Sequence, residues 1–137
     1  MKLSTKGQYG VRAMMDLAQH TGEGPISLKS VAKRQAISEP YLEQLISSLR
    51  KAGLVKSVRG VQGGYTLGRE PDEIRIGDII RVLEGPIAPV HCVSERDPAE
   101  CNQLHTCMTR PVWEKVRDSI AGVVDAITLA DLIKDER

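Results

Sequence analysis

ISEPYLEQLISSLRKAGLVKSVRGVQGGYTLGR, residues Ile37 to Arg69, reads as one helix followed by one hairpin. Ser38 offers a side-chain oxygen to the unpaired N–H groups of a first helical turn. Pro40 sits in that turn, where its missing N–H is of no consequence. Leu42, Leu45, Ile46 and Leu49 fall at i, i+3, i+4 and i+7, the stripe of a helix with one buried face. Gly53 fits the position just after the last turn. Leu54, Lys56 and Val58 then alternate with Val55, Ser57 and Arg59 in the period of a strand. A glycine-rich turn, GVQGG, follows, and YTL returns. The helix turns its apolar stripe to a core and leaves Tyr41, Glu43, Gln44, Ser47, Ser48 and Lys51 outward or flanking.

Upstream, Val11, Met14, Met15, Leu17 and Ala18 give residues 8–20 a helical stripe, ended by Gly22, Gly24 and Pro25. Ser27 caps a second helix with Leu28, Val31 and Ala32 on one face. Three helices and a hairpin with a basic tip are the order of a winged helix-turn-helix. Downstream, a short helix is predicted from Ile76 to Glu84 and a longer one from Pro111 to Ala126. The longer one carries Val112, Val116, Ile120, Val123 and Val124 mostly on one side. Its sixteen residues, rising ~1.5 Å each, span ~24 Å. Thr128 with Asp131 has the spacing of a capping box for a last short helix. The predicted fold is mainly α with a small β-hairpin wing. The chain divides into a DNA-binding unit (1–85), a cysteine-rich loop (86–108) and a dimerisation helix with a C-terminal short helix (109–137).

The 137 residues carry 19 Lys and Arg against 18 Asp and Glu, a net charge of +1. That balance hides an asymmetry. Up to Glu70 there are eleven basic and five acidic residues; beyond it, eight basic and thirteen acidic. A basic half points to a polyanion. Gln44, Ser47 and Ser48 can read base edges, while Tyr41, Ser48 and Lys51 can hold phosphates. Lys56 and Arg59 place charge on the wing, where an arginine suits a narrow minor groove. Double-stranded DNA is therefore the expected partner; a solvated basic face on an interaction domain is the alternative. The long apolar helix predicts a homodimer that sets two reading helices about one DNA turn, ~34 Å, apart.

Other classes fit less well. No apolar run approaches the ~20 residues of a membrane span. The opening MKLSTKGQYG has no apolar signal core, so a cytoplasmic protein is expected. Phe is absent and aromatic residues are 3%, which disfavours stacking platforms for single strands. An electron carrier or redox enzyme finds no support: there is no nucleotide fingerprint, nucleophile elbow or paired-carboxylate pocket, so no enzymatic activity is expected.

Cys92, Cys101 and Cys107 are the only cysteines and fall within one stretch, PVHCVSERDPAECNQLHTCMTRP. An odd number without a secretory segment is not a disulfide framework. No apolar period runs through the stretch, so it reads as a loop gathered around something rather than thiols packed in a core; three unrelated thiols in a surface loop are the alternative. Three Cys with one His also suit structural zinc.

LSTKGQYGVRAMMDLA, ISEPYLEQLISSLRKAGLV, SVRGVQGGYTLGR and IRVLEGPIAPV together resemble the IscR-type winged-helix transcription regulators. The resemblance covers essentially the whole chain and is strongest over residues 1–90. It implies a homodimeric repressor whose DNA binding responds to an iron–sulfur cluster, [2Fe–2S] being the expected type, and which controls cluster-assembly genes. It assigns Cys92, Cys101 and Cys107 as ligands, Tyr41, Gln44 and Arg59 to the DNA surface, and Glu43 to a groove-facing position. The family also holds nitric-oxide or redox sensors and cluster-free repressors of cysteine metabolism, which usually lack these cysteines. Two departures stand out. Eight residues separate the first two cysteines, where the family often has five. CMTRPVW puts Arg110 where the family pattern has a histidine ligand, and an arginine stays protonated. A [2Fe–2S] cluster takes four protein ligands, so the fourth is open between Glu43, His105 and His91. Glu43 has a coupling argument: a carboxylate on the reading helix that joined the centre would tie the sensor to the groove.

Overall fold

The computed structural model describes residues 3–95 and 107–134. Helix α1 spans Thr5–Gln19, α2 Leu28–Gln35 and α3 Glu39–Lys51. Ser27 and Ser38 cap α2 and α3, accepting from the Ser30 and Tyr41 N–H groups at 3.2 and 3.3 Å. Helix α1 begins earlier than its apolar stripe predicts. Ser4 is its cap, accepting from Lys6 N–H at 3.2 Å. The exposed Lys6 and Gln8 in that first turn carry no apolar period that would reveal it.

After Gly53, strand β1 (Val55–Val58) pairs antiparallel with β2 (Gly64–Leu67), Val55 opposite Leu67 and Val58 opposite Gly64. Ile26 adds a third, single-residue pairing. Its N–H donates to Tyr65 O at 2.9 Å, and Tyr65 N–H donates back to Ile26 O at 2.8 Å. That bridge anchors the wing to the segment between α1 and α2. Gly64 lies against it, and a Cβ there would overlap the Ile26 carbonyl oxygen.

A one-turn 3-10 helix, Pro71–Glu73, leads into α4 (Ile76–Glu84). A second such turn, His91–Val93, interrupts what the sequence reads as plain loop. Helix α5 runs Arg110–Asp125 and α6 Leu129–Lys134. Thr128 and Asp131 exchange the two bonds of a capping box, at 2.9 and 3.2 Å. The chain before α6 is stitched to the start of α4: Ile76 N–H donates to Ile127 O at 2.8 Å, and Leu129 N–H to Ile74 O at 3.0 Å.

One apolar core unites these elements. Met14 and Leu17 of α1 meet Val31 of α2, Leu42, Ile46 and Leu49 of α3, Ile79 of α4 and Leu129 of α6. Each such side chain, fully buried, contributes on the order of 1.5–3 kcal/mol. Helix α6 thus packs into the same core as the first three helices. Helix α5 differs: it has no buried residue, and Val112, Trp113, Val116 and Val123 stand exposed along it. Among the described residues no helix is long and apolar enough to cross a membrane.

Candidate nucleic-acid interface and thiol centre

Burial of Leu42, Leu45, Ile46 and Leu49 fixes the rotation of α3 about its axis. Glu43, Gln44 and Ser48 are consequently exposed, and Ser47 is half-buried. Pro40, Glu43, Gln44 and Ser47 line an open depression of about 530 Å³ on that outer face. Lys6 of α1 joins Gln44 and Ser48 around a smaller cleft of about 220 Å³. Tyr41 is only partly available. Its ring meets Tyr9 edge-on at 6.0 Å, and its hydroxyl shares a 3.2 Å hydrogen bond with Thr5 Oγ1. The guanidinium of Arg12 lies 5.2 Å from the centre of the Tyr9 ring. Tyr41 therefore ties the first turn of α1 to the first turn of α3.

Lys51, Lys56 and Arg59 are exposed, and none is in an ion pair among the described residues. Val61, which the sequence reading passed over, is fully exposed at the wing tip. Free cations on a hairpin tip beside an exposed polar helix face suit a duplex backbone and a groove.

One ion pair and one set of carboxylate hydrogen bonds, neither evident from local pattern, hold that face. Asp16 breaks the apolar stripe of α1 and receives Arg34 and Gln35. Glu84 at the end of α4 accepts from Gly7 N–H at 3.0 Å and from both Ser4 donors. It satisfies N–H groups at the start of α1 that helix geometry leaves unpaired. Burial pushes the Glu84 carboxyl up, but the Ser4 and Gly7 bonds outweigh it and the net shift is downward.

Two cysteines, Cys92 and Cys107, lie beside α5. Cys92 sits half-buried in the turn His91–Val93, which packs against α5; Arg117 donates to Val93 O at 3.2 Å. Cys107 is half-buried just before α5, its Sγ 3.3 Å from Thr109 Oγ1. Both thiols are free. The Thr109 hydroxyl, then the Thr109 and Arg110 backbone N–H groups, hold the Cys107 thiol below its ordinary value. Arg110, in the place of the expected histidine, brings its buried Nε to 3.5 Å from Glu114 Oε1, and that Nε has no hydrogen-bond partner among the described residues. A Cys107 thiol held below its ordinary value, with the Arg110 guanidinium three residues on, fits a soft, anionic metal centre.

His91 is exposed. Cys101 and His105 lie outside the described residues. Among the described residues no three His, Cys, Asp or Glu side chains gather as a metal site, so Glu43 is not assembled with Cys92 and Cys107 within one chain.

A family described as Rrf2, iron-dependent transcriptional regulator, matches residues 3–135. The solved structure of T. potens IscR is 60% identical with a TM-score of 0.81, covering 100% of this chain and 89% of that one. The structure of CymR, the global cysteine regulator of B. subtilis, is 52% identical with a TM-score of 0.83, covering 100% and 99%. The HTH-type transcriptional regulator IscR of Aliivibrio salmonicida is 44% identical over 135 residues, 98% of this chain and 79% of that protein.

Proposed function

The chain belongs to the Rrf2 family of transcriptional regulators, and from that membership we propose a cytoplasmic, homodimeric repressor of double-stranded operator DNA that senses an iron–sulfur cluster. Cys92, Cys101 and Cys107 would hold a [2Fe–2S] cluster, and Glu43 would supply the fourth ligand across the dimer. When bound, such a cluster supplies an oxygen- and redox-labile centre whose occupancy follows iron and sulfide supply.

The protein's own residues do the rest. Gln44, Ser47 and Ser48 read base edges. Tyr41, Lys51, Lys56 and Arg59 hold phosphates and the adjacent minor groove. Residues 1–85, whose core α6 also enters, form the reading unit, 86–108 the cysteine segment, and within 109–137 it is α5 that pairs with a second copy. A carboxylate facing phosphates is repulsive unless it accepts from a base or is drawn elsewhere. Glu43 drawn to the thiol centre would therefore change what the reading helix presents. Only a difference in stability between those two arrangements can alter operator affinity.

The observation that carries this reading is the pair of free thiols beside α5, Cys92 in the turn packed on it and Cys107 just before it, with the Cys107 thiol held below its ordinary value. Anaerobic purification with a visible spectrum and iron and sulfide counts tests it. Wild type should be coloured and should bleach as Cys107→Ser. Glu43→Ala should shift the spectrum or shorten the cluster lifetime; an unchanged spectrum transfers the fourth position to His105 or His91. A colourless, zinc-loaded protein would make the centre structural. Metal-free protein with full operator binding would favour the second reading, a cysteine-metabolism repressor, which the likeness to CymR supports.

A further inference from the structure

We propose that Arg81 is the positioning residue that fixes the Cys92-bearing loop, residues 87–95, against the DNA-binding half, by holding Glu95 and Asp125 on one guanidinium. The inference deepens the regulator reading and rests on it for its purpose. Nε and Nη2 of Arg81 donate to the two Glu95 oxygens at 3.0 and 2.8 Å. Nη1 and Nη2 donate to the two Asp125 oxygens at 2.6 and 2.9 Å. All three side chains are about three-quarters shielded from solvent.

The three partners belong to three different parts of the chain. Glu95 follows Cys92 by three residues. Its Oε1 also accepts from Ile87 N–H at 2.8 Å, while its own N–H donates to Ile87 O at 3.2 Å. Residues 87–95 are thus closed into a loop that carries Cys92 and is pinned at Glu95. Asp125 is the last residue of α5. Arg81 stands on α4 between buried Ile80 and the cleft that Ala52 and Leu54 line where α3 gives way to the wing. Helix α4 packs on both α1 and α3. Room for the junction comes from Gly77, one turn before Arg81: a Cβ there would overlap Asp125 Oδ1 and approach Arg81 Nη1.

Two carboxylates drawn to one site repel unless a cation lies between them. Without Arg81, Glu95 would be driven from Asp125 and the loop bearing Cys92 would lose its pin. Lysine cannot replace this function, since a single ammonium lacks the planar fork that engages two carboxylates at once. A shift of the loop 87–95 must therefore strain the Arg81–Glu95 pair, and through α4 it reaches the helix that reads DNA.

The test uses full-length, metal-free protein and follows alkylation of Cys92 by iodoacetamide, with and without operator DNA, by mass spectrometry. Operator binding shifts the population of the loop arrangement that exposes Cys92, so the wild-type alkylation rate should change about fivefold or more. That difference should collapse to within about twofold in Arg81→Gln and Arg81→Lys, and Glu95→Gln should add nothing further to Arg81→Gln. An operator effect retained in the variants, absent from wild type, or unchanged beside a lowered Tm would overturn the proposal. If Arg81→Gln does not fold, Arg81→Lys and Glu95→Gln decide it. In parallel, operator affinity of iron–sulfide-reconstituted and metal-free wild type is compared. A wild type that takes no cluster refutes the sensing reading, while the alkylation arm still decides the role of Arg81.

Discussion

Asp16 in α1 and Arg34 in α2 meet through two parallel hydrogen bonds, Nε to Oδ2 at 2.9 Å and Nη2 to Oδ1 at 2.7 Å, over a carboxylate with no exposed surface. Gln35 adds a third bond at 2.9 Å. Breaking a buried pair by removing one partner ordinarily costs about 3–5 kcal/mol. Arg34 is itself about two-fifths exposed, so solvent screening reduces the expectation for Arg34→Ala to about 1–3 kcal/mol. Urea unfolding should show a lowered midpoint with an unchanged slope.

The same carboxylate gives the protein an acid limit. Burial raises the Asp16 carboxyl, but the Arg34 and Gln35 bonds outweigh it and the net shift is down from 3.8. Bonds from Arg81 lower Glu95 and Asp125 from 4.5 and 3.8. A group lowered on folding binds its proton more weakly in the folded state. Its contribution is complete above the unfolded value and is lost as pH falls through the folded one. The urea midpoint should therefore be level from pH 7 to 5 and drop below about pH 4. Asp16→Asn should start lower and drop less steeply; a parallel drop would assign the acid limit to other groups.

Much of the fold was readable because its signals are local. Ser27, Ser38 and the Thr128–Asp131 pair cap within three residues of themselves, and the stripe of α3 repeats within one helix. The Ile76–Glu84 helix and the start of the return strand near Tyr65 follow from the same kind of pattern. The Asp16–Arg34, Glu84–Gly7 and Arg81–Glu95–Asp125 contacts join residues 14 to 77 positions apart, and no periodicity marks them. The outward face of α3 was legible for the same reason as its buried one. The thiols were legible as a cluster of residue type, but which carboxylate or imidazole would complete the proposed centre depends on tertiary and quaternary placement. Position 110 shows the limit: an arginine is readable there, but only the structure brings its Nε to Glu114.

Gly64→Ala should separate the wing from the reading helix. The new methyl would overlap the backbone oxygen of Ile26, which cannot swing away as a side chain can, and the Ile26–Tyr65 bridge would have to open. Overpacking of this kind costs about 1–3 kcal/mol. Operator affinity measured by fluorescence anisotropy should fall while the preference for operator over scrambled duplex persists. A loss of that preference would place sequence reading on the wing.

Gln44→Ala and Lys56→Ala should weaken binding in different ways. Gln44 lies on the outer face of α3, and loss of a base contact costs about 1–3 kcal/mol at one operator position. Lys56 is an unpaired strand cation, so its loss should weaken all duplexes alike and reduce the salt slope by about 1. Salt titrations on the operator and on a single-base variant would distinguish the two, and a uniform loss from Gln44→Ala would remove it from base reading.

Val123→Glu tests whether α5 pairs with a second copy. Val123 is 61% exposed in the single chain and stands on a helix with no buried residue. A substitution at such a site ordinarily changes monomer stability by no more than about 0.5 kcal/mol. A two-fold interface would place the same face of both helices together, so each glutamate would enter an apolar contact and meet its own copy's charge nearby. Sedimentation should then report a monomer at concentrations where wild type is a dimer. The monomer should keep its affinity for a half-site and lose the gain from joining two half-sites, which comes from linkage rather than from any new contact. A variant that remains dimeric, with undiminished affinity for the full operator, would assign the exposed valines of α5 to some other surface.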